Sequence, residues 1–380
     1  MEFAQIHGLQ DSKNQLLDMV GGERLPHALL LAGPPGGGQL ALALALAQYL
    51  LCAQPAAGDA CGRCASCRKT EKLAHPDLHL SFPYTDPKRT SEAFLGEWRK
   101  RVLANPYLSM SDWLQGLQAE NKQGKIYKQE CQRILQKLNL KAFESEQKIL
   151  VLWQPEFLGN EGNRLLKLIE EPPLGSVIML VAEDTERILQ TILSRCQLVQ
   201  VRPFQDAEIA EGLQSDGLAG PEEALGIAQL AAGDYNRALK LAGSSQRDFD
   251  QLFLQWMRST YEGHTSAMMD WVSAFAKLGR DAQKQFLHYA LHFTRELLML
   301  KVHSAATVRL RPQELKTARR MAGLFDLDQI SDLAECFTRG IAGIERNANA
   351  RILLLDASLQ MHRIQRGRPR LVEAGEKLLL

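Results

Sequence analysis

Residues Gly33-Pro34-Pro35-Gly36-Gly37-Gly38-Gln39-Leu40 follow an apolar run, Ala28-Leu29-Leu30-Leu31-Ala32, and open an Ala/Leu-rich stretch of helical character. Strand, glycine loop, helix is the setting of a phosphate-binding loop. Its backbone N–H groups turn inward, and the helix N-terminus adds its positive end. Gly33 and Gly38 stand at the motif's two glycine positions, with Gly36 between them. The next two positions depart from it. The chemistry asks for Lys to neutralise the β- and γ-phosphates and for Ser or Thr to ligate Mg²⁺. Here they are Gln39 and Leu40, one uncharged and one without a ligand atom. A Gly/Pro turn unrelated to phosphate is the plainer alternative; it leaves the flanking strand and helix unaccounted for.

An acidic pair that holds Mg²⁺ and orients water belongs after the strand at 149–153. The sequence there reads Leu150-Val151-Leu152-Trp153-Gln154-Pro155-Glu156. Trp153 and Gln154 occupy the acidic positions, and Glu156, two residues on, is expected to point elsewhere. The cation, the metal hydroxyl and both acids are missing together. The fold is expected to survive without the hydrolysis.

Further apolar runs at 78–82, 149–153, 177–182 and 198–201 suit buried parallel strands. Between them, Cys131, Ile134, Leu135 and Leu138 share a helical face. A second helix is expected from near Asn160 to the Pro172-Pro173 stop. The strand signal fades after Pro203. The expected organisation is a P-loop-type α/β parallel-sheet domain over 1–204, a small helical domain over 205–243, a larger all-helical domain over 247–365, and a basic tail over 366–380. The segment 84–124 is too long for a plain loop and should carry structure of its own. Its Trp98 and Trp113 are read as core residues of a helical insertion, against the sharper alternative of a partner contact.

Four of the seven cysteines fall in the pattern Cys52-x8-Cys61-x2-Cys64-x2-Cys67. Two CxxC steps let thiolates converge on one ion, with Gly62 easing the turn. Structural Zn²⁺ in a closed four-thiolate shell is the expected occupant, and such a shell leaves no open position for catalysis. An iron–sulfur cluster, a disulfide pair and coincidence are the alternatives. Arg63, Arg68, Lys69 and Lys72 beside this knuckle are read as a solvated rim, and Cys131 and Cys336 as core residues.

The chain has 380 residues, 45% hydrophobic and 23% charged, with a net charge of +1. That balance argues against DNA binding by bulk electrostatics of the chain alone. The stretch at 40–51 is too short and mixed to span a bilayer, and residues 1–13 lack signal-peptide character. A cytoplasmic location is expected.

Taken in order, the degenerate glycine loop, the cysteine knuckle, His75-Pro76-Asp77, Asn163-Arg164-Leu165-Leu166-Lys167-Leu168-Ile169-Glu170-Glu171-Pro172-Pro173 and Ser194-Arg195-Cys196 resemble the AAA+ clamp-loader family, in particular its bacterial DNA polymerase III delta-prime class. The resemblance covers about residues 3–242 apart from 84–124. It implies a subunit of a ring-like hetero-pentamer, beside gamma/tau-type motor subunits and a delta subunit, that places a sliding clamp on primed DNA. In that setting this chain is a non-hydrolysing arm within a DNA-polymerising nucleotidyltransferase holoenzyme. Region 205–243 becomes a lid, and 247–365 a collar that joins the assembly. Arg195 is implied as an arginine finger offered to a neighbour's ATP, with Ser194 and Cys196 shaping its loop. Without the resemblance, a surface salt bridge is the better reading of Arg195.

The chain departs from the family at Asn236, where motor subunits place a sensor arginine; Arg237 comes one residue late. The segment 84–124 is extra. Arg366-Gly367-Arg368-Pro369-Arg370 echoes a minor-groove hook, although a plain basic tail explains it as well. Two other functions compete: an active ATPase with an atypical site, which needs a replacement cation near Gln39, and a zinc-ribbon nucleic-acid binder with a vestigial loop.

Overall fold

The structure, a computed structural model, describes residues 1–22, 25–56, 58–119, 122–243, 249–302, 308–346 and 348–367. Most of the basic tail expected at 366–380 therefore lies outside the described residues. The chain forms two compact units, Met1–Gly243 and Ser244–Leu380.

The first unit is built on a parallel sheet in the order β2-β3-β4-β1-β5. Its strands are β1 (Ala28–Ala32), β2 (Leu78–Ser81), β3 (Lys148–Trp153), β4 (Ser176–Ala182) and β5 (Gln197–Gln200). Strands β1, β3 and β4 are buried along their whole length, which is why their sequences are continuously apolar rather than alternating. The side-chain period of two sorts them onto both faces. Leu29, Leu31, Val151 and Met179 enter one core, while Leu30, Leu150, Leu152 and Leu180 enter the other.

Strand β1 lies between β4 and β5, pairing Leu30 with Leu180 and with Leu198. The glycine loop thus leaves the carboxyl edge of the sheet between two neighbours, where open α/β sheets form their ligand crevice.

Helices α1 (Gln10–Gly21), α2 (Gln39–Leu51) and α3 (Ala65–Glu71) precede β2. The long connection to β3 holds α4 (Leu95–Ala104), α5 (Met110–Gly116) and α6 (Lys128–Asn139). The stretch expected to be one helix from Asn160 is instead a 3-10 segment, Gly159–Leu165, running into α7 (Leu166–Glu170). Gly162, a poor helix former, lies within that segment, and a Cβ there would stand 2.9 Å from the end of the Ile192 side chain. After α8 (Gln190–Leu193) and β5 come α9 (Asp206–Ser215), α10 (Pro221–Ala231) and α11 (Tyr235–Gly243). Their Ile209, Leu213, Ile227 and Tyr235 share a core with Leu29 and Val151, so these helices pack within the first unit.

The second unit contains α12 (Phe249–Glu262), α13 (Thr265–Phe275), α14 (Arg280–Val302), α15 (Pro312–Ala322), α16 (Leu327–Glu345) and α17 (Ala350–Gln365). Phe253, Trp256, Phe286 and Phe337 are buried at its centre. No described helix is long and apolar enough to cross a membrane.

Candidate functional site

The glycine loop turns on itself. Gly33 N–H donates to the Ala182 carbonyl at 3.2 Å, and Gly37 N–H to that of Pro34 at 3.0 Å. Gly36 and Gly38 have φ of +65° and +87°, a region that favours glycine. Space forbids a side chain as well: a Cβ on Gly36 would meet Asp234 Oδ1 at 1.9 Å.

Gln39 is buried, and its Nε2 donates to the Pro34 carbonyl at 2.8 Å and that of Ala182 at 3.4 Å. The amide is thus spent on backbone carbonyls of the loop and of β4. Leu40 lies in the apolar core. Trp153, at one of the positions expected to be acidic, packs its ring at 4.8 Å and a tilt of 52° against that of Trp98, and Gln154 is buried with φ of +57°. Glu156 does turn away: its Oε1 accepts the Glu183 and Asp184 N–H groups at 2.5 and 2.8 Å. Burial pushes the nearby Glu183 carboxyl up to about 7. Gly36, Gly38, Gln39 and Leu40 line one groove with Trp153, Gln154 and, at the end of β4, Val181, Ala182 and Glu183, and another wall is Pro106-Tyr107-Leu108 from the connection between α4 and α5.

The four cysteines of the knuckle converge. All four sulfurs lie within 4.8 Å of one another, so the group could hold a metal ion, and none is in a disulfide. Cys64 caps α3, its Sγ accepting the Cys67 N–H at 3.3 Å, and Cys52 Sγ accepts the Cys61 N–H at 3.3 Å. Gly62 supplies the turn with φ of +67°. Burial works against the Cys64 thiolate, but N–H donors from Cys67 and Ala53 and the neighbouring thiols bring its pKa down to about 6. Cys61 is also lowered, chiefly by the Arg63 and Cys64 N–H groups, whereas burial raises Cys52 and Cys67. Arg63, Arg68 and Lys72 stand in solvent, and Lys69 pairs with Glu144 at 2.5 Å.

Arg195 sits in the turn between α8 and β5. Its Nε donates to Glu170 Oε1 at 2.6 Å and its Nη1 to the Thr191 carbonyl at 2.7 Å, with a third of the side chain exposed. Glu170 belongs to the Asn163–Pro173 motif, so two motifs far apart in sequence meet here. Ser194 Oγ donates to the Thr191 carbonyl at 3.3 Å and accepts from Arg195 Nη1 at the same distance. Burial pushes the Cys196 thiol up to about 11. Arg195 is not among the residues lining the groove over the glycine loop.

Sequence reasoning missed what surrounds Asn236. Its side chain accepts from Asn105 Nδ2 and donates to Asp112 Oδ2, both at 2.7 Å. Asn105 and Asp112 flank the groove-wall segment. No local pattern announces a contact across more than a hundred residues.

Residues 8–205 match the family described as "DNA polymerase III, delta subunit". The DNA polymerase III subunit delta′ of Bacillus subtilis is 28% identical over 56% of this chain and 54% of its own, so this chain spans about half the length of that relative. The subunit of the same name from Escherichia coli is 28% identical over 74% of this chain and 72% of its own. A solved gamma-subunit-related protein from Thermotoga maritima aligns at TM-score 0.40 and 14% identity, covering 94% of this chain and 99% of that one.

Proposed function

This chain belongs to the DNA polymerase III delta-subunit family, as a clamp-loader subunit of the delta-prime type, and from that premise we propose that it serves DNA replication as a non-hydrolysing arm. In this reading 205–243 is a helical lid and the helices of the second unit form a collar. The collar joins gamma/tau-type motor subunits and a delta subunit in a cytoplasmic hetero-pentamer that opens a sliding clamp and sets it on primed DNA.

The observation that carries the reading is Gln39. Where the chemistry needs a free cation facing a phosphate, a neutral amide is folded onto the Pro34 carbonyl. Leu40 in the core removes the metal hydroxyl as well. The competing active ATPase needs a cation to replace the missing lysine, and none of the groove-lining residues is basic. Arg195, by contrast, is a part-exposed guanidinium with no nucleotide chemistry of its own to serve. Its bond to Glu170 holds the planar fork in place, from where it acts on the ATP of a neighbouring subunit.

The four thiols suit zinc. A tetrahedron with Zn–S bonds of about 2.3 Å has edges of about 3.8 Å, and Cys61 Sγ lies 3.9 Å from Cys67 Sγ. Such a site is structural, holding the Cys52–Cys67 loop against α3. A zinc-ribbon nucleic-acid binder is the weaker alternative, since a basic rim of three free side chains is a small electrostatic footprint.

The test is steady-state ATP hydrolysis by a reconstituted complex carrying Arg195→Ala. Trans-acting fingers contribute on the order of 10³ to 10⁵ in rate at a single site, diluted here by the other sites. The expected outcome is a fully assembled complex with lower clamp- and DNA-stimulated turnover, and little rescue by Arg195→Lys. Unchanged turnover and clamp loading would reduce Arg195 to a structural residue.

A further inference from the structure

The inserted segment between α4 and α5 closes over the glycine loop. Pro106, Tyr107 and Leu108 face the glycine loop across the groove, and the water-accessible space left between them is about 10 Å³. That is room for about one water, against the several hundred Å³ of an ordinary small-molecule site. Tyr107 is buried, its ring 4.6 Å from that of Tyr235 and 5.8 Å from that of Phe204.

The same segment grips the helices beyond the sheet. Asn105 and Asp112 hold Asn236 between them, and Lys240, one turn on along α11, pairs with Asp112. Burial opposes the charge on Asp112. Lys240, together with hydrogen bonds from Ser109 and Asn236, outweighs it and keeps the carboxyl below its ordinary range. From the other side, Tyr235 N–H donates to the Gly36 carbonyl at 3.2 Å.

We propose that residues 105–112 are a built-in occupant of the nucleotide groove and a latch that fixes α11, and the helices packed with it, to the sheet. A nucleotide touching both the glycine loop and α11 would let their relative angle change as it came and went. A covalently attached occupant in the same place cannot leave. The angle is therefore held by Asp112, Asn236 and Lys240, and the insertion supplies the stiffness that an arm without hydrolysis requires. The latch rests on the reading of this chain as non-hydrolysing, but not on the role of Arg195.

Two measurements on the full-length chain test it. The first is hydrogen–deuterium exchange. Asp112→Ala should raise exchange across 235–243 at least tenfold and leave β1 and β4 unchanged. Asp112→Asn, which keeps the side chain's shape but loses the Lys240 ion pair, should give a smaller rise and guards against misfolding of the alanine variant. Wild-type protection in the folded variants would overturn the latch.

The second is titration with a fluorescent ATP analogue. Gln39→Lys with Leu40→Thr restores the motif, yet should not bind, because the groove is filled. Adding Tyr107→Ala and Leu108→Ala should produce saturable binding where the restored motif alone shows none. Binding by the restored motif alone, or none by the folded opened chain, would overturn the occupant. Neither readout involves partner subunits, so failure of the Arg195 test would leave this one standing.

Discussion

Cys64 caps helix α3 with its own sulfur, and the Cys67 N–H it accepts there is one of the groups that lower its thiol pKa. Deprotonation is the step a metal otherwise has to drive, so this residue is expected to lead binding. Metal analysis should find one zinc per chain in the parent and less than one-tenth of that in Cys64→Ser. The substitution should also lower the melting temperature of the first unit by roughly 5 °C or more, since structural zinc contributes folding energy. Glu183 gives a second test at this scale. Burial, with Glu156 close by, raises its carboxyl from an ordinary 4.5 to about 7. A folded pKa above the unfolded one means that the protonated form is favoured in the fold. Its stability is fully present below 4.5 and lost as pH rises through 7. Glu183→Gln should therefore melt several degrees above the parent at pH 8 and close to it at pH 5, by calorimetry. The convergence of the knuckle's four thiols was legible because CxxC spacing is local. The bond from Arg195 to Glu170 was not, because it joins residues 25 apart that only the fold brings together.

The strands were the most legible elements, since a strand buried on both faces must be apolar throughout, as β1, β3 and β4 are. The insertion was legible only as structured. Its tryptophans proved to be core. Phe82 stacks on Trp98 at 4.2 Å, Trp113 meets both rings edge-on at 5.2 Å, and its Nε1 donates to the Pro83 carbonyl at 2.7 Å. Their helical spacing signalled burial, but periodicity carries no address, and the docking against Asn236 and Lys240 depends on residues more than 120 positions away. Trp113→Ala removes a fully buried ring and orphans the Pro83 carbonyl. It should destabilise the first unit by about 3–5 kcal/mol in urea unfolding. A loss below about 1 kcal/mol would mean the insertion packs loosely.

At the scale of the whole molecule, each unit has its own core. Helices α9–α11 share theirs with the sheet, while Phe253, Trp256, Phe286 and Phe337 serve the second unit. Residues 1–243 alone should fold, keep zinc and melt cooperatively. If the second unit is the collar, that fragment should fail to enter the reconstituted complex on size exclusion. Its entry at full affinity would refute the collar.

The filled groove also bears on descent. In the proposed reading, four positions, Gln39, Leu40, Trp153 and Gln154, would have to change before this chain could hydrolyse ATP, and Trp153 is packed against Trp98 of the insertion. While Tyr107 occupies the groove, a lysine at the first of them has no phosphate to meet, so selection has no rewarded first step. Loss by single substitutions is easy, and recovery needs several at once together with removal of the insertion. If the arm and the plugged groove hold, a lineage built this way is committed, and its descendants can refine the arm but cannot readily make a motor of it.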